Sequence, residues 1–98
     1  MKIKKVGNVK QINSTRNPGR HWQLWDAGTG ERTIEHFIDG VRTTVAYMRT
    51  RKTVEYRKDA GKYVTTVVWE LYERRWMGRS GGQYASPEAA FKAFCSCL

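Results

Sequence analysis

Nine basic side chains between residues 49 and 79 fall into three groups. Arg49, Arg51 and Lys52 stand at an expected junction between two strands, Arg57, Lys58 and Lys62 border the turn Asp59-Ala60-Gly61, and Arg74, Arg75 and Arg79 follow the apolar stretch ending at Tyr72. Guanidinium groups grip phosphate oxygens in a bidentate fork, and ammonium groups act on them as point charges. Tyr56 and Tyr72 are interleaved with these cations, and aromatic rings stack on bases or hold a neighbouring charge in place. The pattern is the chemistry of a surface that holds a polyanion. It is also the chemistry of a solvated sheet edge, where Lys and Arg prevent edge-to-edge aggregation.

The remaining reactive side chains are poorly grouped for catalysis. His21 and His36 fall in expected strands, and Cys95 and Cys97 are spaced Cys-x-Cys, unlike the Cys-x2-Cys pairs of ordinary structural zinc sites. The Gly-Arg-Ser-Gly-Gly run from Gly78 offers backbone amides but lacks the Lys-Ser/Thr ending of a phosphate-binding loop. Carboxylates are scattered singly, with no pair of the kind glycoside hydrolysis needs. The expectation is a non-enzymatic protein with no cofactor and no metal.

Bulk composition agrees with a binding role. The chain has 98 residues, 18 Lys and Arg against nine Asp and Glu, and a formal charge of +9. A field of that sign concentrates nucleic acid or an acidic protein surface near the molecule. No run of about 18 apolar residues is present, so no membrane span is expected. The start, MKIKKVGNVKQI, lacks the apolar block of a signal peptide, and the two cysteines are too close to close a useful loop. An intracellular setting with reduced thiols follows. The terminal Cys-Ser-Cys-Leu fits a prenylation box only loosely, because Cys97 stands where an aliphatic residue is wanted.

Positioning such a surface requires a scaffold, and the sequence reads as strands divided by turns. HWQLWD and RTIEHFI flank AGTGE as a hairpin, IDG turns the chain again, and VRTTVAYM alternates Val41, Thr43, Val45 and Tyr47 with Arg42, Thr44, Ala46 and Met48. KTVEYRK and KYVTTVVWELYERRW, joined across Gly61, are the longest strands, and the second is apolar on both sides near Val67 and Val68. The amino-terminal MKIKKVGNVKQI reads as one strand bulged at Gly7, and residues 13–20 read as a loop.

One helix closes the chain: Ser86 is its N-cap, Pro87 its first residue, and Glu88 complements the dipole. Ala90, Phe91, Phe94 and Leu98 share its inner face. The expected fold is α+β: a single domain (1–98), a twisted antiparallel meander of five to seven strands with one carboxyl-terminal helix packed on it. The expected core is Trp22, Leu24, Ile34, Val45, Val67, Trp69, Leu71, Phe91 and Phe94. The loop from Arg74 to Gly82 is expected to be exposed and to touch the partner.

The hairpin YRKDAGKY, the strand WMGRSGGQYAS and the helix SPEAAFKAF together resemble the AP2-like DNA-binding domains, including the arm-type amino-terminal domains of phage and transposon integrases. The resemblance covers less than half the chain. It implies a three-stranded antiparallel sheet lying in the major groove, backed by one helix. The function expected is that of a small basic nucleic-acid-binding accessory protein. The alternative is a phage-type protein that docks on a host nucleic-acid-handling machine and inhibits it, since Trp, Tyr and Arg are enriched at protein hot spots.

Overall fold

In the computed structural model, which describes residues 2–73 and 80–96, seven antiparallel strands form one sheet in strict sequence order. They are β1 (Lys4–Val6), β2 (Val9–Asn13), β3 (Arg20–Asp26), β4 (Arg32–Ile38), β5 (Val41–Arg57), β6 (Lys62–Glu73) and β7 (Ser80–Tyr84), followed by helix α1 (Pro87–Ser96). Each hairpin has a local cause. Between β4 and β5, Asp39 and Gly40 both take positive φ, 49° and 81°, the geometry of a two-residue turn whose twist matches that of its strands. Between β3 and β4, the Asp26 carboxylate accepts the Gly28 amide at 2.8 Å. The loop Ser14–Gly19 is tied by the Ser14 hydroxyl, which accepts the amides of Arg16 and Asn17, and by the Gly19 carbonyl, which accepts the Asp39 amide.

The helix begins where Ser86, Pro87 and Glu88 dictate: the Ser86 hydroxyl accepts the Ala89 amide at 3.1 Å. Glu88 also receives a hydrogen bond from Lys10 of β2, which clamps the helix start to the sheet. The inner face of α1 lies across β3, β6 and β7. Phe91 and Phe94 pack with Ile12, Trp22, Leu24, Ile34, Met48 and Leu71 into one cluster, completed by Ala46, Ala90 and Cys95. Burying each phenylalanine ring is worth roughly 2–3 kcal/mol relative to leaving it in water. The helix thus covers one side of the body and leaves the other side of the sheet open.

The structure corrects several sequence expectations. Val67 is 47% exposed and does not belong to the core; it lies on β6 beyond the reach of α1, where no second layer of described residues covers the sheet. Val45 and Trp69 border the core rather than fill it. Ile34 pairs with Ala46 but Glu35 with Thr44, so Val45 is the extra residue of a bulge that turns Ala46 and Met48 inward. Ile12, Ala46 and Met48, which the sequence reading left out of the core, fill it instead. The amino-terminal segment is two strands and not one, because Gly7 at φ 59° turns the chain back and pairs Val6 with Val9. Ser80–Gly82 belong to β7 instead of the expected loop. Arg74–Arg79 and Leu98 lie outside the described residues.

The largest difference concerns β5. Arg49–Lys52 mark no junction: Val41–Arg57 is one strand of 17 residues. β4 pairs with it only as far as Met48, and β7 pairs with β6 only from Trp69 onward. Among the described residues, the two strands from Arg51 to Val68 therefore pair only with each other, in an unbroken register from Arg51↔Val68 to Arg57↔Lys62. At about 3.3 Å per residue this free ribbon extends roughly 20 Å past the body. The extents of 54 × 28 × 26 Å and a radius of gyration of 15.5 Å record that projection. A compact chain of this length would have a radius of about 13 Å.

Candidate nucleic-acid interface

Alternation along β5 and β6 divides the ribbon's side chains between two faces. On the face continuous with the helix-free side of the body stand Arg51, Arg57 and Lys62, with Thr53, Glu55, Val64, Thr66 and Val68 among them. On the other stand Lys52, Val54, Tyr56, Tyr63 and Val67. Lys58 sits in the turn, which Gly61 closes at φ 63°. Residues 51–68 carry five basic and two acidic side chains, a net charge of +3. Among the described residues Lys52, Arg57, Lys58 and Lys62 make no ion pair, whereas on the body Lys10, Arg32 and Arg42 are paired with Glu88, Asp26 and Glu35.

The root of the ribbon is fixed by a buried carboxylate. Glu70, 4% exposed, accepts hydrogen bonds from the Tyr72 hydroxyl, from Arg51 at 2.8 Å and from Gln83 of β7 at 3.3 Å. The Tyr72 hydroxyl, then the Arg51 guanidinium, hold the Glu70 carboxyl below the usual carboxylate range. Tyr72 is stacked on Tyr47 at 5.1 Å and lies beneath the Arg49 guanidinium at 4.9 Å. Arg49 also donates to the Tyr72 hydroxyl at 3.3 Å. Both guanidinium groups are thereby oriented before any partner arrives.

Of the site residues expected from the sequence, Arg74, Arg75 and Arg79 lie outside the described residues. The others separate once the register is known. Arg51, Lys52, Tyr56, Arg57, Lys58 and Lys62 belong to the free ribbon, and Arg49 and Tyr72 to its root. Tyr56 and Tyr72 do not share a face: one is on the helix side, the other on the open side, because an even-numbered β5 residue and an even-numbered β6 residue point oppositely in this register. Tyr72 is engaged by both Tyr47 and Arg49 and acts as a support for Arg49. Tyr56, 52% exposed, pairs with Tyr63, 73% exposed, across the strands at 5.1 Å. Sequence reading missed Tyr63 and Glu70; the mirror-like Tyr-Arg and Lys-Tyr flanks of the Asp59-Ala60-Gly61 turn were the available signal for the tyrosine.

The open side of the body is a closed network by comparison. The Arg42 guanidinium lies 4.1 Å from the Trp25 ring centre and donates to Glu35 at 2.9 Å, and Thr44 donates to the same carboxylate oxygen. Trp25 donates to Gln23, Gln23 to Gln11, and Gln11 to Asn13. His21 is stacked on Phe37 at 4.8 Å on this side, while on the helix side His36, the register partner of Trp22, accepts from Arg20 at 2.7 Å. Burial, then the charges of Arg20 and His21, lower the His36 pKa, which matches an acceptor nitrogen facing a guanidinium. These rings and charges are engaged with one another, although the second carboxylate oxygen of Glu35, Oε2, is buried without a hydrogen-bond partner among the described residues.

Cys95 is fully buried under the helix, and burial pushes its thiol up to about 12. It is a core residue, protonated at neutral pH, and reaching it with a prenyl group requires unpacking α1. Among the described residues no three His, Cys, Asp or Glu side chains converge as a metal site, and no helix is long and apolar enough to cross a membrane. No protein-family model, curated protein or solved structure matches this chain.

Proposed function

We propose that the protein is a small non-enzymatic nucleic-acid-binding accessory protein, and that the β5–β6 ribbon is its principal contact. One observation carries the reading: a ribbon that adds nothing to the core projects from the body with a net charge of +3 and four cations that no acid among the described residues neutralises. Exposed Lys and Arg of this kind release condensed counterions on meeting phosphates, and that release supplies most of the affinity in such binding. Arg49, Arg51, Lys52, Arg57, Lys58 and Lys62 supply the phosphate contacts, with Tyr56 beside them, and Arg74, Arg75 and Arg79 add to the same field. A helix backing β6 and β7 with the opposite face bare also fits the resemblance to integrase arm domains.

A second reading has its own observation. Val54, Tyr56, Tyr63 and Val67, between 47% and 73% exposed, form an apolar stripe on the helix side of the ribbon. Such a stripe suits docking on a host nucleic-acid-handling machine, the role of a phage-type inhibitor. Retention of labelled DNA or RNA on a filter at low salt separates the two. The nucleic-acid reading predicts retention that falls steeply with salt; absence of retention with every nucleic acid, together with capture of a protein partner from nuclease-treated lysate, favours the inhibitor.

A further inference from the structure

We infer that the nucleic acid held by the ribbon is an unpaired strand, whose bases stack on Tyr56 and Tyr63 while its phosphates meet Lys52 and Lys58; the inference rests on the nucleic-acid reading above. The register places Lys52, Val54 and Tyr56 of β5 on one face with Tyr63, Thr65 and Val67 of β6. That face of the ribbon holds no acid: Glu55 stands on the opposite face and Asp59 in the turn. Lys52 and Tyr56 lie four residues apart, about 13 Å along the strand, and Lys58 follows in the turn just past the tyrosine. The two valines and the tyrosine pair therefore form a strip with a lysine at each end.

The tyrosine pair is open in a way that the pair at the ribbon root is not. Tyr47 and Tyr72 lie nearly parallel, 10° between planes, and Arg49 covers Tyr72. Tyr56 and Tyr63 are both more than half exposed, and their rings are tilted by 58°, so they do not stack on each other and leave ring surface for a base. A duplex keeps its base planes inside and offers a tyrosine only groove edges and backbone. An unpaired strand turns whole base planes outward, and every base has a face that stacks on an aromatic ring. Arg57 and Lys62, each next in sequence to a tyrosine but on the opposite face, hold the phosphates that follow round the tip. A second copy of the chain is a poor occupant, because two such strips packed face to face in either direction set lysine against lysine.

The test is fluorescence anisotropy of the full chain with a labelled single-stranded DNA of about 16 nucleotides, its RNA counterpart, the DNA duplex formed with the complementary strand, and an abasic strand of the same length that keeps the phosphates and lacks the bases. Cations alone favour the duplex, which carries the denser charge, so a preference for the single strand reports contact with bases. The unpaired strands should bind at least about tenfold more tightly than the duplex and the abasic strand. Tight binding of either one supports the inference, and the comparison between them names the sugar. Tyr63→Leu should weaken single-strand binding about fivefold or more and leave the salt slope unchanged, while Tyr63→Phe, which keeps the ring, should bind as the parent does. Circular dichroism checks that the variants are folded, and the abasic strand, which needs no variant, serves if they are not. Duplex or abasic binding as tight as that of the unpaired strands, or an unchanged affinity in folded Tyr63→Leu, overturns the inference and leaves the nucleic-acid reading standing. Failure to bind any of the four probes removes both.

Discussion

Arg57 and Lys62 face each other directly across the β5–β6 ladder, the last register pair before the turn, and no acid among the described residues pairs with either. Like charges at that spacing destabilise a hairpin, so the tip carries a repulsion that the free protein does not relieve. Replacing Lys62 with Glu turns that repulsion into attraction. Thermal melting should show a gain of about 0.5 kcal/mol, while anisotropy shows weaker nucleic-acid binding. Loss of both stability and binding would mean that Lys62 serves the fold.

The core ends where α1 ends. Phe91→Ala removes a ring of 0% exposure and should cost about 3–5 kcal/mol in denaturant unfolding. Val67→Ala, on the same chain face as Leu71 but 47% exposed, should change stability by no more than about 0.5 kcal/mol. Comparable losses at the two positions would place a second layer over the ribbon.

Acid should loosen the fold from two sides. Tyr72 and Arg51 lower the Glu70 pKa, and Lys10 chiefly lowers that of Glu88. A depressed carboxylate gives stability that is full above its unfolded pKa and is lost as pH falls through the folded one. His36, also depressed, follows the same sign, its contribution fading as pH falls below the ordinary histidine value of 6.5. Stability measured by urea unfolding should therefore decline below neutrality and again below the ordinary carboxylate range. Glu70→Gln should lower the melting temperature at pH 7 and flatten the second decline; an unchanged acid profile would show that the network at the ribbon root contributes nothing.

At the alkaline end Cys95 has the opposite sign. A thiol raised to about 12 contributes stability that is full below the unfolded thiol value and is lost as pH rises toward 12. In a Cys97→Ser background, Cys95 should not react with Ellman's reagent at pH 8 until the protein is unfolded. Immediate reaction in the native state would mean that α1 does not seal the core.

Much of the scaffold was legible because its signals are local. The Ser86-Pro87-Glu88 start, the Asp39-Gly40 turn and the Gly61 turn are each settled within a few residues, and Phe91 and Phe94 show their inner face by spacing alone. What alternation along one strand does not reveal is the length over which neighbours accompany it. Arg49–Lys52 looked like a junction because apolar alternation lapses there, whereas the strand runs on and only its lateral partner stops. Val67 was misplaced for the same reason: an apolar residue in a long strand reads as core unless the extent of the covering helix is known. The site was legible as composition but not as faces. Tyr56 and Tyr72 fall on opposite sides through a register set by the Gly61 turn, and Glu70 acquires its role only when Arg51, Tyr72 and Gln83 meet around it.

The central claim is that the ribbon binds and the body merely carries it. Deleting Thr53–Thr66 and joining the register partners Lys52 and Val67 through Asn-Gly, a two-residue turn suited to antiparallel strands, removes Arg57, Lys58 and Lys62 and leaves the helix-packed core untouched. A salt titration of DNA affinity, full-length against shortened chain, is the most direct measurement. The account predicts a shortened protein that melts cooperatively, with a salt slope lower by about three units and affinity reduced at every salt concentration. A shortened protein that binds with the same affinity and slope as the full chain would contradict it.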